Sequence, residues 1–112
     1  MLAKAIARYI RMSPRKARRV LKLIRGLPLK EAQSLLGVLP YRAARTVRRV
    51  VDSAAANAAN NHGMGRDELW VAEAYADEGS VLKRWRVASA GRMSRISKRI
   101  SHISIVLSDE ER

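Results

Sequence analysis

From Ser80 to His102 the chain carries Lys83, Arg84, Arg86, Arg92, Arg95, Lys98 and Arg99 and no acidic residue. Guanidinium groups bind phosphate oxygens as a fork and stack on flat aromatic faces, while ammonium groups add point charge, so this run suits a polyanion with exposed bases. Its apolar residues, Val81, Leu82, Trp85, Val87, Met93, Ile96 and Ile100, are interleaved with cations too densely to bury a face of their own. RNA supplies what such a segment lacks, with phosphates for the cations and unstacked bases for Trp85 and the Arg planes. A solvated, flexible charge run is the competing reading, and the β-forming residues flanking the segment argue against it.

The whole chain shares this bias. In 112 residues, 23 Lys+Arg face 10 Asp+Glu, for a formal net charge of +13, and most of the cations are Arg. Such an excess repels itself in a folded chain unless a polyanion neutralises it.

Few other residues suggest chemistry. There is no Cys, which excludes disulfides and thiolate metal sites, and the two His leave a catalytic zinc site without enough ligands. His62, beside Asn60 and Asn61, reads as part of a polar helix end. His102 has no sequence-local carboxylate or nucleophile and reads as a phosphate contact or a strand cap. Glu73, Asp77 and Glu78 read as partners of nearby cations or as loop residues, since general acid–base work needs a cleft that so short a chain hardly builds. Gly63-Met64-Gly65 lacks the strand–loop–helix setting and the following Lys-Ser/Thr of a phosphate loop. Ser13-Pro14-Arg15-Lys16 resembles the short basic Pro motifs of minor-groove binders, yet a helix cap before a basic helix accounts for it. No run approaches the roughly 20 apolar residues of a membrane span, and the N-terminus lacks a signal-peptide core. The expectation is a cytoplasmic, non-enzymatic protein with no cofactor, metal, membrane or small-molecule substrate.

The elements that must position the basic segment follow from periodicity. Residues 1–12 fit a strand through Ala3, Ala5, Ala7 and Tyr9, and equally a helix through Leu2, Ile6, Tyr9 and Ile10. Ser13-Pro14 signals a helix start with Ser as cap, and Gly26 its stop. Between them Ala17, Val20, Leu21 and Ile24 form one face, and Arg15, Arg18, Arg19 and Lys22 another about 200° away. A second helix is expected over 29–36, with Leu29, Ala32, Leu35 and Leu36 inward, Pro28 at its entry and Gly37 at its exit. Pro40 opens a third, which buries Ala43, Val47, Val50, Val51, Ala54 and Ala58, carries Arg42, Arg45 and Arg49 on a basic face, and ends at Asn60, Asn61 and Gly63.

Leu69 to Ala76 reads as a strand whose alternation Glu73 spoils, and Asp77-Glu78-Gly79 as a break. Two strands meeting near Ala88-Ser89-Ala90-Gly91 form a hairpin that reaches roughly 30 Å. Ile103, Ile105 and Leu107 alternate cleanly in a last strand, and Asp109-Glu110-Glu111 reads as a disordered acidic tail. The order is βαααββ: an α+β fold, one domain over 1–112, with three helices packed on a small three-stranded antiparallel sheet and residues 80–102 as an extended basic β-hairpin.

Lys83, Ser89, Gly91, Arg92 and His102-Ile103-Ser104-Ile105-Val106-Leu107, in that order, resemble the signature of the bacterial ribosomal protein L-twenty-two family. Ser13-Pro14-Arg15-Lys16-Ala17-Arg18, Leu23-Ile24-Arg25-Gly26, Ser53-Ala54-Ala55-Ala56-Asn57-Ala58 and Asp77-Glu78-Gly79 extend the likeness along essentially the whole chain. The resemblance implies a large-subunit protein that binds 23S rRNA, assists its assembly and sends its hairpin into the wall of the nascent-polypeptide exit tunnel. Neighbouring large-subunit proteins, and the nascent polypeptide at the tip, are the further implied partners. The expected rRNA contacts are Lys4, Arg8, Arg11, Arg15, Lys16, Arg18, Arg19, Lys22, Arg25, Lys83, Arg84, Arg86, Arg92, Arg95, Lys98, Arg99 and His102. Ala88, Ser89, Ala90, Gly91 and Arg92 are the expected tip. The family usually has Arg or His where this chain has Ala88, which puts one tip contact in question and makes Arg86 its expected substitute. The alternative is a free nucleoid protein or regulator, which would bind duplex DNA as well as it binds RNA.

Overall fold

Small side chains decide the structure of the first segment. Ala3 and Ala5 are buried while Leu2, Lys4 and Ile6 are exposed, the two-residue period of a strand lying on a helix. The computed structural model describes residues 2–63, 65, 68–87 and 93–110, with the backbone alone over 80–87 and 93–99. The elements run β1 (Leu2–Ile10), α1 (Pro14–Ile24), α2 (Leu29–Val38), α3 (Arg42–His62), β2 (Trp70–Val87) and β3 (Met93–Ser108). The sheet is antiparallel in the order β1-β3-β2, so the last strand lies in the middle.

One core joins the helices to one face of this sheet. Val20, Leu21 and Ile24 of α1, Leu29 of α2 and Val47 and Val51 of α3 are fully buried against Val71, Ile103, Ile105 and Leu107. Ala43, Ala44, Ala54, Ala55 and Ala58 bring α3 close to β1, where the Asn57 side-chain amide donates to the Lys4 carbonyl at 3.0 Å. The other sheet face has no helix over it. Ser104, Val106 and Ser108 of the central strand are nevertheless buried there, shielded by strands on both sides.

β2 and β3 outrun the core. β2 has 18 residues and β3 has 16, and their pairing continues from Trp70↔Ser108 to Val87↔Met93. The molecule therefore measures 61 × 25 × 20 Å. Its radius of gyration is 17.0 Å, against about 13 Å for a compact chain near this length. Hence Asp77-Glu78-Gly79 is not a break. Asp77 and Glu78 pair with His102 and Ser101, and only the register shifts, between Glu78 and Val81. The arm is the outward half of two body strands rather than a separate hairpin. The alternation spoiled by Glu73 is likewise a bulge, placed by the register shift between Val71 and Glu73.

Helix ends differ from expectation in three places. The Ser13 side chain makes no capping bond; its carbonyl accepts from the amides of Lys16 (3.1 Å) and Ala17 (3.2 Å), and Pro14 opens the helix as expected. Gly37 does not end α2, which runs to Val38. A Cβ at Gly37 would lie 3.3 Å from an Arg48 guanidinium nitrogen, so glycine there lets that side chain approach. α3 begins at Arg42, after Tyr41 rather than directly at Pro40, and ends as expected at Gly63, whose φ is +63°. The acidic tail is ordered as far as Glu110, whose carbonyl accepts from the Trp70 indole and whose amide donates to Ser108 Oγ; Glu111 lies outside the described residues.

Candidate nucleic-acid interface

The expected cations of the body, from Lys4 to Arg25, are all exposed, but they do different work. Lys4 and Arg8 stand on the uncovered face of β1, and Arg11 follows in the turn before α1. Arg15, Lys16 and Lys22 project from α1, and among the described residues no protein acceptor holds them. Arg19 lies with its guanidinium carbon 5.6 Å from the centre of the Tyr41 ring, a cation–π contact.

Arg18 and Arg25 serve the fold as well. Arg18 donates from Nε (3.1 Å) and Nη2 (2.9 Å) to the Ala76 carbonyl, and Arg25 from Nε (2.6 Å) to the Ala74 carbonyl. β2 is an edge strand, and carbonyls two residues apart point to the same side, here away from β3. Two Arg side chains a heptad apart, one on α1 and one at its C-cap, thus close an open edge. The link after α1 extends this closure: Gly26 donates to the Val71 carbonyl, Val71 to Leu27, and Leu29 to Leu69, all near 2.9 to 3.0 Å. Gly26 reaches this position with φ +77°.

A second grouping was only half legible. Ile10, Arg11, Met12, Ser13 and Lys16 join Arg42, Ala43 and Thr46 around a cleft of about 700 Å³ where β1 ends and α1 and α3 begin. The cleft combines three cations, two hydroxyls and two helix N-termini, whose dipoles favour anions. Arg11 and Lys16 were expected contacts. Arg42 appeared in the sequence as part of a basic face with Arg45 and Arg49, with no binding role; the signal was the nearness of two helix starts, which periodicity within one helix does not reveal.

At the arm's root His102 is half-buried rather than presented outward. Its Nδ1 accepts the Tyr9 backbone N–H at 3.1 Å, and its ring meets the Tyr9 ring edge-on at 5.1 Å. A Cβ at Gly79 would lie 3.0 Å from His102 Nε2, so glycine lets the imidazole approach closely across the strand pair. Beyond this root the backbone pairs Val81↔Arg99, Leu82↔Lys98, Lys83↔Ser97, Arg84↔Ile96, Trp85↔Arg95 and Arg86↔Ser94, which brings the expected arm residues together on one two-stranded ribbon. Ala88, Ser89, Ala90, Gly91 and Arg92 lie outside the described residues. His62 ends α3 exposed, and Glu73, Asp77 and Glu78 lie exposed along β2. Among the described residues no three His, Cys, Asp or Glu gather as a metal site, and no helix is long and apolar enough to cross a membrane.

A helix-and-sheet body that carries cations on its surface and extends two of its strands into an arm defines a small basic α+β protein. Comparison with known proteins gives the family. The sequence profile described as ribosomal protein L22p/L17e matches residues 5–108, and the chain belongs to that family. It is 53% identical over 111 residues to the large ribosomal subunit protein uL22 of Thermoanaerobacter sp. (strain X514), covering 99% of this chain and 100% of the relative. It is 52% identical over 110 residues to the protein of that name from Thermus thermophilus, covering 98% and 97%. The relative from Pelotomaculum thermopropionicum is 51% identical over 111 residues. The resemblance drawn from the motifs is thereby established, and the chain is a ribosomal protein, not an enzyme.

Proposed function

We propose that this chain, by its family a structural constituent of the cytoplasmic large ribosomal subunit, binds 23S rRNA through its basic body surface and arm. In this reading the body anchors on folded RNA while the arm passes between RNA segments, and the tip, 88–92, reaches the wall of the nascent-polypeptide exit tunnel. Residues 1–112 act as one domain, with 80–102 as the hairpin. Neighbouring large-subunit proteins share the anchoring, and the growing polypeptide meets the tip.

The observation that carries this reading is the continuity of β2 and β3 from the core into an arm that has no acid from Ser80 to His102. A bare two-stranded ribbon is marginal in water, so the arm needs a surface to lie against, and its charge selects a polyanion. Phosphates answer the charge, and bases answer Trp85 and the Arg planes. The acids of the same strand, Glu73, Asp77 and Glu78, lie nearer the core than the arm.

Gradient sedimentation of lysate at low and high salt tests the anchoring. The expected result is co-migration with the large subunit that survives high salt; recovery of the chain free, or with DNA, overturns the reading. A photoreactive residue at position 90 tests the tip, with cross-links to nascent chains expected in stalled ribosomes.

A further inference from the structure

The geometry points to Tyr9 as a stacking platform for an unpaired RNA nucleobase at the root of the arm; this inference rests on the RNA-binding reading above. β1 pairs regularly with β3 through Ala7↔Ile103, then resumes at Ile10↔Ser101. Arg8 and Tyr9 therefore stand opposite His102 alone, the two-against-one arrangement of a β-bulge. Tyr9 absorbs the irregularity with φ +58°, the one positive φ at a non-glycine residue among those described. An aromatic residue with a Cβ is disfavoured there, and such conformations persist where the surroundings over-determine them and often where a side chain is being aimed.

The surroundings here do over-determine it. The Tyr9 N–H is held by His102 Nδ1 at 3.1 Å, and its ring is braced at 90° by the imidazole. The imidazole itself lies close over Gly79, where a Cβ would come within 3.0 Å of Nε2.

What the bulge delivers is a large ring, 68% exposed and braced on one side by the His102 imidazole. Edge-on contact with His102 occupies one part of the ring and leaves a face open. Arg8 and Arg11, both exposed, flank it in the chain, and Lys4 stands on the same strand. An exposed aromatic ring with cations on its own strand, Lys4 and Arg8, which line one hollow with His102, suits single-stranded nucleic acid, with the base on the ring and the adjoining phosphates on the cations. Duplex RNA would offer Tyr9 no unstacked base, so the ligand is a bulged, looped or junction nucleotide. The ring's bracing matters because part of the cost of ordering it is met in folding and is not charged against binding.

The test uses the full chain and a large-subunit rRNA transcript, read by equilibrium binding across a salt series and by zero-length ultraviolet cross-linking with mass spectrometry of the adducts. Tyr9→Phe should bind within about twofold of the parent. Tyr9→Gly should lose at least about fivefold in affinity with the salt slope unchanged, since a stacked base and not a phosphate is lost. Glycine suits a positive φ, so Tyr9→Gly should keep or raise the unfolding midpoint, which separates loss of stacking from loss of fold. A nucleotide adduct on the peptide containing Tyr9 is expected in the parent. Parent-like affinity of Tyr9→Gly, or an adduct-free Tyr9 peptide beside adducts elsewhere, overturns the inference while the RNA-binding reading stands. Absence of salt-sensitive binding by the parent overturns that reading first.

Discussion

The Arg18 guanidinium holds the Ala76 carbonyl in a fork, 3.1 Å from Nε and 2.9 Å from Nη2. A residue that by pattern belongs to a basic, RNA-facing helix surface thus also binds α1 to the outer edge of β2. Arg25 repeats the contact at Ala74. Charge on this helix has two uses, and substitutions separate them.

Arg18→Ala should lower stability by about 1 to 2 kcal/mol, because it leaves an edge carbonyl without its charged donor. Lys22→Ala, on the same helix but without a protein acceptor, should stay within about 0.5 kcal/mol. It should instead flatten the log–log salt dependence of rRNA binding by about 0.7. Urea unfolding followed by circular dichroism, beside filter binding, reads both; equal stability losses would contradict the division.

Ser101 is fully buried at the arm's root, and its hydroxyl donates to the Met12 carbonyl at 2.6 Å. Ser101→Ala removes the bond that ties the β1–α1 turn to β3. A loss of about 1 to 2 kcal/mol is expected in chemical denaturation. Ser101→Val should cost more, since the site has no spare room.

Gly79→Ala places a methyl about 3.0 Å from His102 Nε2 and 3.2 Å from Ile100 Cγ2. Overpacking at a strand pair should cost about 1 to 3 kcal/mol. It should also disturb the Tyr9 amide bond to His102, visible as faster hydrogen exchange at Tyr9. Unchanged exchange would show that the imidazole turns aside freely.

Arg42→Ala should weaken rRNA binding and reduce its salt slope by about 0.7 with little change in the unfolding midpoint. Lys16→Ala should act alike, and because both residues line one cleft, the double substitution should fall short of the sum of the two. Additive losses would place the two cations on separate phosphates.

The fold was legible where period and punctuation agreed. Ala17, Val20, Leu21 and Ile24 are buried as their spacing requires, Gly63 ends α3, and Ile103, Ile105 and Leu107 form the inward face of the best-patterned strand. Legibility failed where a residue's local meaning was overruled by a neighbour distant in sequence. Asp77-Glu78-Gly79 has the composition of a turn, yet pairing with Ser101 and His102 keeps it in a strand. Gly37 has the look of a helix stop, yet it makes room for Arg48. The first segment fitted two periods, and pairing with the distant β3 makes it a strand. For the proposed interface, charge density singled out the arm and α1. The double duty of Arg18 and Arg25, the cleft at Arg42 and the braced Tyr9 all depend on contacts between elements, which no single-element pattern encodes.

The continuity of β2 and β3 makes the core a reading frame for the arm. A strand shows alternate residues to opposite sides, so a shift of one position anywhere between body and tip would exchange the two sides of everything beyond it. Val71, Ile103, Ile105 and Leu107 fix that phase by burial, and the bulges at Ala72 and near Gly79 correct it at set points. A single-residue insertion in one arm strand would therefore act as a frameshift in space, leaving the body folded while turning the arm's message over.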